Sequence, residues 1–205
     1  MTVRGILYII SAPSGAGKTT LVRRLVAQDG HVKVSISHTT RNPRIGEQEA
    51  QDYYFVTLSE FNMLKMQGCF VETAQVFGHW YGTSKAWLDE TLSLGVDVIL
   101  EIDWQGARRV REIFSCVSIF VLPPSKAILL DRLKTRNQDD PCVIAQRMQE
   151  ATSEMVHYSE YDYIIINDEV ENAFKDLYAI VCAERKKMIF QRERYCDAIS
   201  ELIHE

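Results

Sequence analysis

Apolar positions along this chain gather into short continuous runs, separated by stretches with helical spacing. GILYII (Gly5–Ile10) is the first run, and after a loop LVRRLVA sets Leu21, Val22, Leu25 and Val26 at a helical period. GVDVILEID (Gly95–Asp103), SIFVLPP (Ser118–Pro124) and YDYIIIND (Tyr161–Asp168) repeat the pattern. Two prolines that cannot extend a ladder close the middle one. Unbroken apolar runs alternating with helical stretches predict an α/β fold, a parallel sheet covered by helices. In such sheets ligands bind beyond the carboxyl ends of the strands, where these runs turn polar.

Two segments break the rhythm. Residues 35–83 are polar, aromatic and glycine-punctuated, with strand-like pieces (DYYFV, CFVETAQVF) around one short helix, SEFNMLKM. Residues 125–156 are charged and helical around TRNQDDP, which no apolar pattern stabilises. The first reads as an inserted α/β subdomain and the second as a mobile helical lid. The predicted core is then 4–34, 84–124 and 157–184, within a unit spanning 4–184, followed by a helical extension over 185–205. In the tail Phe174, Leu177, Ile180 and Val181 share one helix face. Beyond Arg185 the apolar spacing thins, so the chain is read as a monomer or a homo-oligomer with this extension as the candidate contact.

Composition narrows the class. The 205 residues are 46% hydrophobic, enough for one sizeable core. A net charge of −5 argues against nucleic acid as the main partner, and is too mild for an acidic disordered chain. No apolar run approaches the roughly 18 residues of a membrane span. MTVRGILYII lacks a cleavage pattern and reads as a strand, which with the rest predicts a cytoplasmic protein. The five cysteines (Cys69, Cys116, Cys142, Cys182, Cys196) form no C-x-x-C pair and the five histidines are scattered. Free thiols are expected, and a zinc site is not.

Candidate chemistry begins at SAPSGAGKTT (Ser11–Thr20), between the first strand and the first helix. It matches the phosphate-binding loop G-x-x-x-x-G-K-[ST] except that Ala12 replaces the first glycine. Gly15 and Gly17 allow the backbone N–H groups around Pro13, Ser14, Ala16 and Thr20 to converge on an anion at a helix N-terminus. Lys18 supplies charge to the terminal phosphates and Thr19 a hydroxyl to Mg²⁺. Alanine at position 12, where the chain leaves the strand, is expected to be tolerable with a negative φ. In SISHTTRNPR (Ser35–Arg44), Arg41 and Arg44 bracket an Asn42–Pro43 turn. Their two forks could converge on one phosphate, or stand solvated on an exposed turn. Asp52, Tyr53, Tyr54, Glu72, Tyr81, Gly82 and Thr83 follow.

SAPSGAGKTT, VSISHTTRNPRIGE, DYYF, FVETAQVFGHWYGTS, EIDWQGA and YIIIND, in this order, resemble a guanylate kinase from about Leu7 to Glu184. The resemblance implies a P-loop NTPase core in three layers, a monophosphate-binding insert and a lid. It further implies phosphoryl transfer from ATP to GMP or dGMP with Mg²⁺. On that likeness Arg41, Arg44, Tyr53 and Tyr81 hold the GMP phosphate, and Ser37, Glu72 and Thr83 read the base, with Asp103 nearby. Glu72 as a carboxylate can accept from the N1–H and N2–H of guanine, and adenine would mismatch it. Glu101 stands where other members carry Asp, as a candidate for orienting a metal-bound water. Arg132, Arg136 and Arg147 match the lid arginines that neutralise charge on closure, which also excludes water. Asn167 is a candidate near the adenine. The family commonly has GRG where this chain has Thr135-Arg136-Asn137, a change expected to stiffen the lid. The rivals are an inactive guanylate-kinase-like binding module, at odds with an intact Lys18 and Thr19, and a P-loop kinase of a phosphorylated sugar, which would not need Glu72.

Overall fold

A computed structural model describes residues 3–44, 46–76, 78–136 and 141–203, with the side chains of Arg136 and Pro141 outside the description. Its centre is a parallel sheet of β1 (Leu7–Ser11), β2 (Val32–Val34), β7 (Asp97–Glu101), β8 (Val117–Leu122) and β9 (Tyr163–Ile166), in the order β2-β7-β1-β8-β9. β1 reads LYIIS and is buried throughout. It lies at the centre of the order, with both ladders paired and both faces covered, which is why its sequence shows no polar alternation.

The faces divide by residue parity. Tyr8, Ile10 and Ile99 point to α1 (Lys18–Gln28) and α7 (Val170–Glu184), where Leu21, Val22, Leu25, Phe174, Leu177 and Val181 complete one core. Leu7, Ile9, Val98 and Leu100 point the other way, to Leu88 and Leu92 of α3 (Lys85–Ser93) and Ala107 and Val110 of α4 (Trp104–Ile113). Each fully buried aliphatic side chain contributes about 1.5–3 kcal/mol. The result is three layers in which the four strands predicted for the core are present, their ends displaced by one or two residues from the apolar runs.

A second sheet takes the order β4-β3-β6-β5: β3 (His38–Thr39), β4 (Tyr54–Phe55), β5 (Phe70–Val76) and β6 (His79–Ser84). Helix α2 (Leu58–Met66) opens with a capping box, Thr57 and Glu60 satisfying each other's backbone N–H. Its Phe61 is fully buried and stacks on Phe70, ring centroids 4.8 Å apart. Gly82 lies beneath these rings, where a Cβ would press on Phe70 at 3.0 Å and Phe61 at 3.1 Å. Of the predicted DYYFV strand only Tyr54 and Phe55 join the sheet, with Tyr53 in a single bridge to Glu49, and β2, β3 and β6 were not anticipated.

The 125–156 segment folds as α5 (Lys126–Arg136) and α6 (Pro141–Met155), joined through Leu129, Leu133 and Ala151. Asn137–Asp140, most of the TRNQDDP stretch, lie outside the described residues, as does the comparison of Thr135-Arg136-Asn137 with GRG. A 3-10 turn (Val156–Glu160) follows, and there His157 stacks on Trp104 with centroids 3.7 Å apart. Arg108 reaches both oxygens of Glu160, at 2.7 and 2.6 Å. After α7, Arg185 joins Asp29 at 2.5 Å and Asp97 at 2.7 Å, and α8 (Met188–Arg194) and α9 (Cys196–Ile203) end the description with no buried residue. Among the described residues none of the five cysteines forms a disulfide, and no helix is long and apolar enough to cross a membrane.

Candidate active site

Where β1 ends, the chain turns through Ala12–Gly17 into α1. Gly15 at φ 88° and Gly17 at φ 94° occupy the left-handed region, which their missing Cβ permits. Ala12 does not, because Ala50 is the sole described non-glycine residue at positive φ. The Ala12 methyl packs on the edge of the core, so alanine here is a contact as well as a tolerated substitution. No acidic residue occupies the first turn of α1, which leaves its N-terminal N–H groups and dipole unopposed. Lys18 Nζ lies 3.8 Å from Glu101 Oε2, and Thr19 Oγ1 donates to the same oxygen at 3.5 Å. Burial lowers the Lys18 pKa, and Glu101 opposes that shift.

Asn167 was expected near an adenine. Its side chain is 1% exposed and donates from Nδ2 to the Ala16 carbonyl at 2.6 Å, bracing the loop from the end of β9. A Cβ on Gly17 would stand 2.2 Å from that nitrogen. Arg132 of α5 is itself anchored, donating to the carbonyls of Asn167 at 3.0 Å and Asp168 at 3.4 Å. Together these tie α5 to the loop.

A cleft of about 1000 Å³ opens over the loop, and Glu101, Asp103, Trp104, Arg132, Arg147 and Glu154 share its lining. Asp103 caps α4 through the Gly106 N–H at 2.8 Å, so one of its oxygens is committed. Glu154 escaped the sequence reading. Burial, with Asp103 adding and Lys18 opposing, pushes its pKa up to about 7. The available signal was helical: Arg147, Glu150 or Ala151, and Glu154 fall on one face of α6. Arg136 closes α5, but its side chain lies outside the described residues.

The second sheet assembles the other half. Arg41 lies over the Tyr53 ring at 5.3 Å, and Tyr53 and Tyr81 meet edge to face at 5.9 Å. Arg41 Nη2 donates to Glu47 Oε1 at 2.8 Å. The Arg44 side chain is exposed and makes no hydrogen bond among the described residues, although its backbone N–H donates to Glu47 Oε2 at 2.7 Å. On β5 and β6, Thr83 Oγ1 donates to Glu72 Oε1 at 2.7 Å, with Glu72 5% and Thr83 0% exposed. Burial lifts the Glu72 pKa to about 7, the Thr83 bond opposing and Asp103 reinforcing the shift. A Cβ on Gly106 would come within 3.2 Å of Glu72 Oε2, so a glycine forms that wall. Ser37 is half-buried, its carbonyl taking the Tyr54 N–H at 3.0 Å, and its hydroxyl makes no hydrogen bond among the described residues.

The predicted residues therefore form two groups: Ala12–Thr20, Glu101, Asp103, Arg132, Arg147 and Asn167 around the loop, and Arg41, Tyr53 and Tyr81 beside Glu72 and Thr83 in the second sheet. Gly106 and Trp104 lay inside a motif already singled out, without a role. Glu47 closes the VSISHTTRNPRIGE motif, three residues beyond Arg44, and likewise had no role there.

The sequence profile of the family described as guanylate kinase matches residues 4–184. A guanylate kinase of Vibrio cholerae is 52% identical over 205 residues, covering 98% of this chain and 99% of that protein. One of Alkalilimnicola ehrlichii is 51% identical over 200 residues, 97% of this chain and 98% of its own. The crystal structure of guanylate kinase from Anaplasma phagocytophilum superposes with a TM-score of 0.73 at 34% identity, over 91% of this chain and 89% of that one.

Proposed function

The chain belongs to the guanylate kinase family, and from that premise we propose that it transfers the γ-phosphoryl group of ATP to GMP or dGMP, giving ADP and GDP or dGDP. The unit that does so is 4–184, with an acceptor-binding insert over 35–83 and a lid over 125–156. The loop N–H groups and Lys18 hold the donor phosphates. Arg41 and Arg44, with the hydroxyls of Tyr53 and Tyr81, hold the acceptor phosphate. An oxygen of that phosphate forms the new bond to phosphorus as the bond to the β-phosphate oxygen breaks. No proton need be removed, because the acceptor oxygen is already anionic, so positioning and charge neutralisation supply the catalysis. Arg132, Arg136 and Arg147 add charge from the lid side.

No group of three His, Cys, Asp or Glu side chains among the described residues could cage a metal by itself. Thr19 Oγ1 and Glu101, 3.5 Å apart at the cleft, are hard oxygen donors that suit Mg²⁺ carried mainly by phosphates and water. Thr19 would ligate it and Glu101 would orient a bound water; when present, the ion neutralises charge on the transferring phosphates.

Base selection rests on Glu72. Thr83 already gives its proton to Oε1 of this buried carboxylate, which leaves Glu72 to accept from guanine N1–H and N2–H. Ser37 then has the uncommitted hydroxyl for O6. This buried carboxylate, bonded by a single side-chain hydroxyl, is the observation that carries the reading. Coupled ADP formation with GMP, dGMP, AMP, CMP and UMP tests it: turnover is expected with the two guanine nucleotides only. Absence of GMP-dependent turnover would refute the activity, and equal use of AMP would refute the role of Glu72.

A further inference from the structure

Two arginines meant for an anion meet, in this structure, a carboxylate of their own loop. Glu47 Oε1 accepts from Arg41 Nη2 at 2.8 Å, and Glu47 Oε2 accepts from the Arg44 N–H at 2.7 Å. Arg41 Nη1 donates to the Asn42 carbonyl at 2.7 Å. Tyr53 and Phe55 lie beneath the guanidinium at 5.3 and 6.0 Å. The side chains of Arg41 and Glu47 are 11% and 18% exposed, so the pair is largely out of solvent.

We propose that Glu47 is a positioning residue for the acceptor phosphate, fixing the Arg41 fork in its binding orientation before the nucleotide arrives. The inference rests on the reading of Arg41 as a phosphate ligand. An arginine loses rotamer freedom when immobilised, and a site that has already ordered it does not lose this on binding. Glu47 takes one of the N–H groups on Nη2 and the Asn42 carbonyl one on Nη1. A guanidinium has five N–H groups, so donors remain for an anion.

The carboxylate could instead stand in the phosphate's own place and leave when it binds. The loop argues otherwise. Glu47 N–H donates to the Arg44 carbonyl at 3.0 Å, Gln48 N–H to Asp52 Oδ2 at 2.8 Å, and Ala50 N–H to the Tyr53 carbonyl at 2.9 Å. Phe55 N–H donates to Glu49 Oε2 at 2.9 Å. Withdrawing Glu47 would take its Oε2 from the turn that these bonds close.

The test uses Glu47→Ala and the near-isosteric Glu47→Gln in the full chain. GMP and guanosine binding are measured by calorimetry, KM and kcat for each substrate by the coupled assay, and folding by thermal melting. Loss of positioning should weaken GMP in Glu47→Ala about tenfold while guanosine, which lacks the phosphate, binds as in the wild type. KM for ATP should stay within about twofold. Glu47→Gln keeps an acceptor oxygen toward Arg41 and should recover part of the loss. If Glu47→Ala melts early, the same GMP-against-guanosine split in Glu47→Gln decides. Unchanged GMP binding overturns the inference, a tightening marks the carboxylate as a competitor and also overturns it, and an equal loss for guanosine reduces Glu47 to a fold element. Failure of the wild type to turn over GMP would instead overturn the reading of the site.

Discussion

Replacing Glu72 by glutamine should damage activity and strengthen the fold at once. A carboxylate that accepts two guanine donors makes two charge-assisted hydrogen bonds, each contributing about 1.5–3 kcal/mol. Glutamine preserves one acceptor and turns an N–H against the other donor. A loss of about 3–4 kcal/mol follows, or some hundred- to thousand-fold in kcat/KM for GMP. KM for ATP should be unaffected, because Glu72 belongs to the second sheet. Thr83 can still donate to the amide oxygen, so the local hydrogen bond of 2.7 Å has a replacement.

The stability effect has the opposite sign. Glu72 rises from an ordinary 4.5 to about 7 in the folded chain, chiefly through burial. An acid whose folded pKa exceeds its unfolded one binds more protons when folded. Its contribution therefore falls as pH rises from about 4.5 and levels off above about 7, a loss of the order of 3 kcal/mol. Glutamine carries no such penalty. The variant should melt about 6–12 °C higher than the wild type at pH 8 and close to it at pH 5, by calorimetry or circular dichroism. In the wild type, kcat/KM for GMP should drop about tenfold per pH unit below about 7, a limb that the variant lacks. A lower melting temperature at pH 8, or GMP turnover within threefold of wild type, would refute the reasoning.

Arg185→Met removes the partner of two nearly buried carboxylates, Asp29 and Asp97, and should cost about 3–5 kcal/mol by urea unfolding, with KM for both substrates unchanged. Gly17→Ala, at φ 94° and with a Cβ placed 2.2 Å from Asn167 Nδ2, should lower kcat/KM for ATP at least about a hundred-fold while calorimetry shows GMP binding retained. Ala50→Gly relieves a left-handed alanine at φ 59° and should raise the melting temperature by about 2–4 °C without altering kcat.

The strands of the central sheet were readable because burial on both faces writes continuous apolar runs into the chain. β2 has no such signature: only Val32 of its three residues is buried, and it exists because β7 offers it a ladder from Val32 against Asp97. β6, HWYGTS, is likewise defined by its neighbours, with Gly82 cut to fit beneath Phe61 and Phe70. The same division runs through the site. Lys18, Thr19 and Arg41 are the residues proposed to act on a ligand, and that chemistry can be named from residue type and local spacing. Asn167 and Glu47 act on another residue. Asn167 braces Ala16 from 151 positions away, and Glu47 meets Arg41 across a loop whose left-handed step at Gly46 no periodicity encodes. A ligand-contacting group is constrained by the ligand and keeps a recognisable type, whereas a brace is constrained only by the geometry of its partner. Braces therefore become visible when the fold has brought the partners together, and in this chain they bear on both proposed phosphate sites.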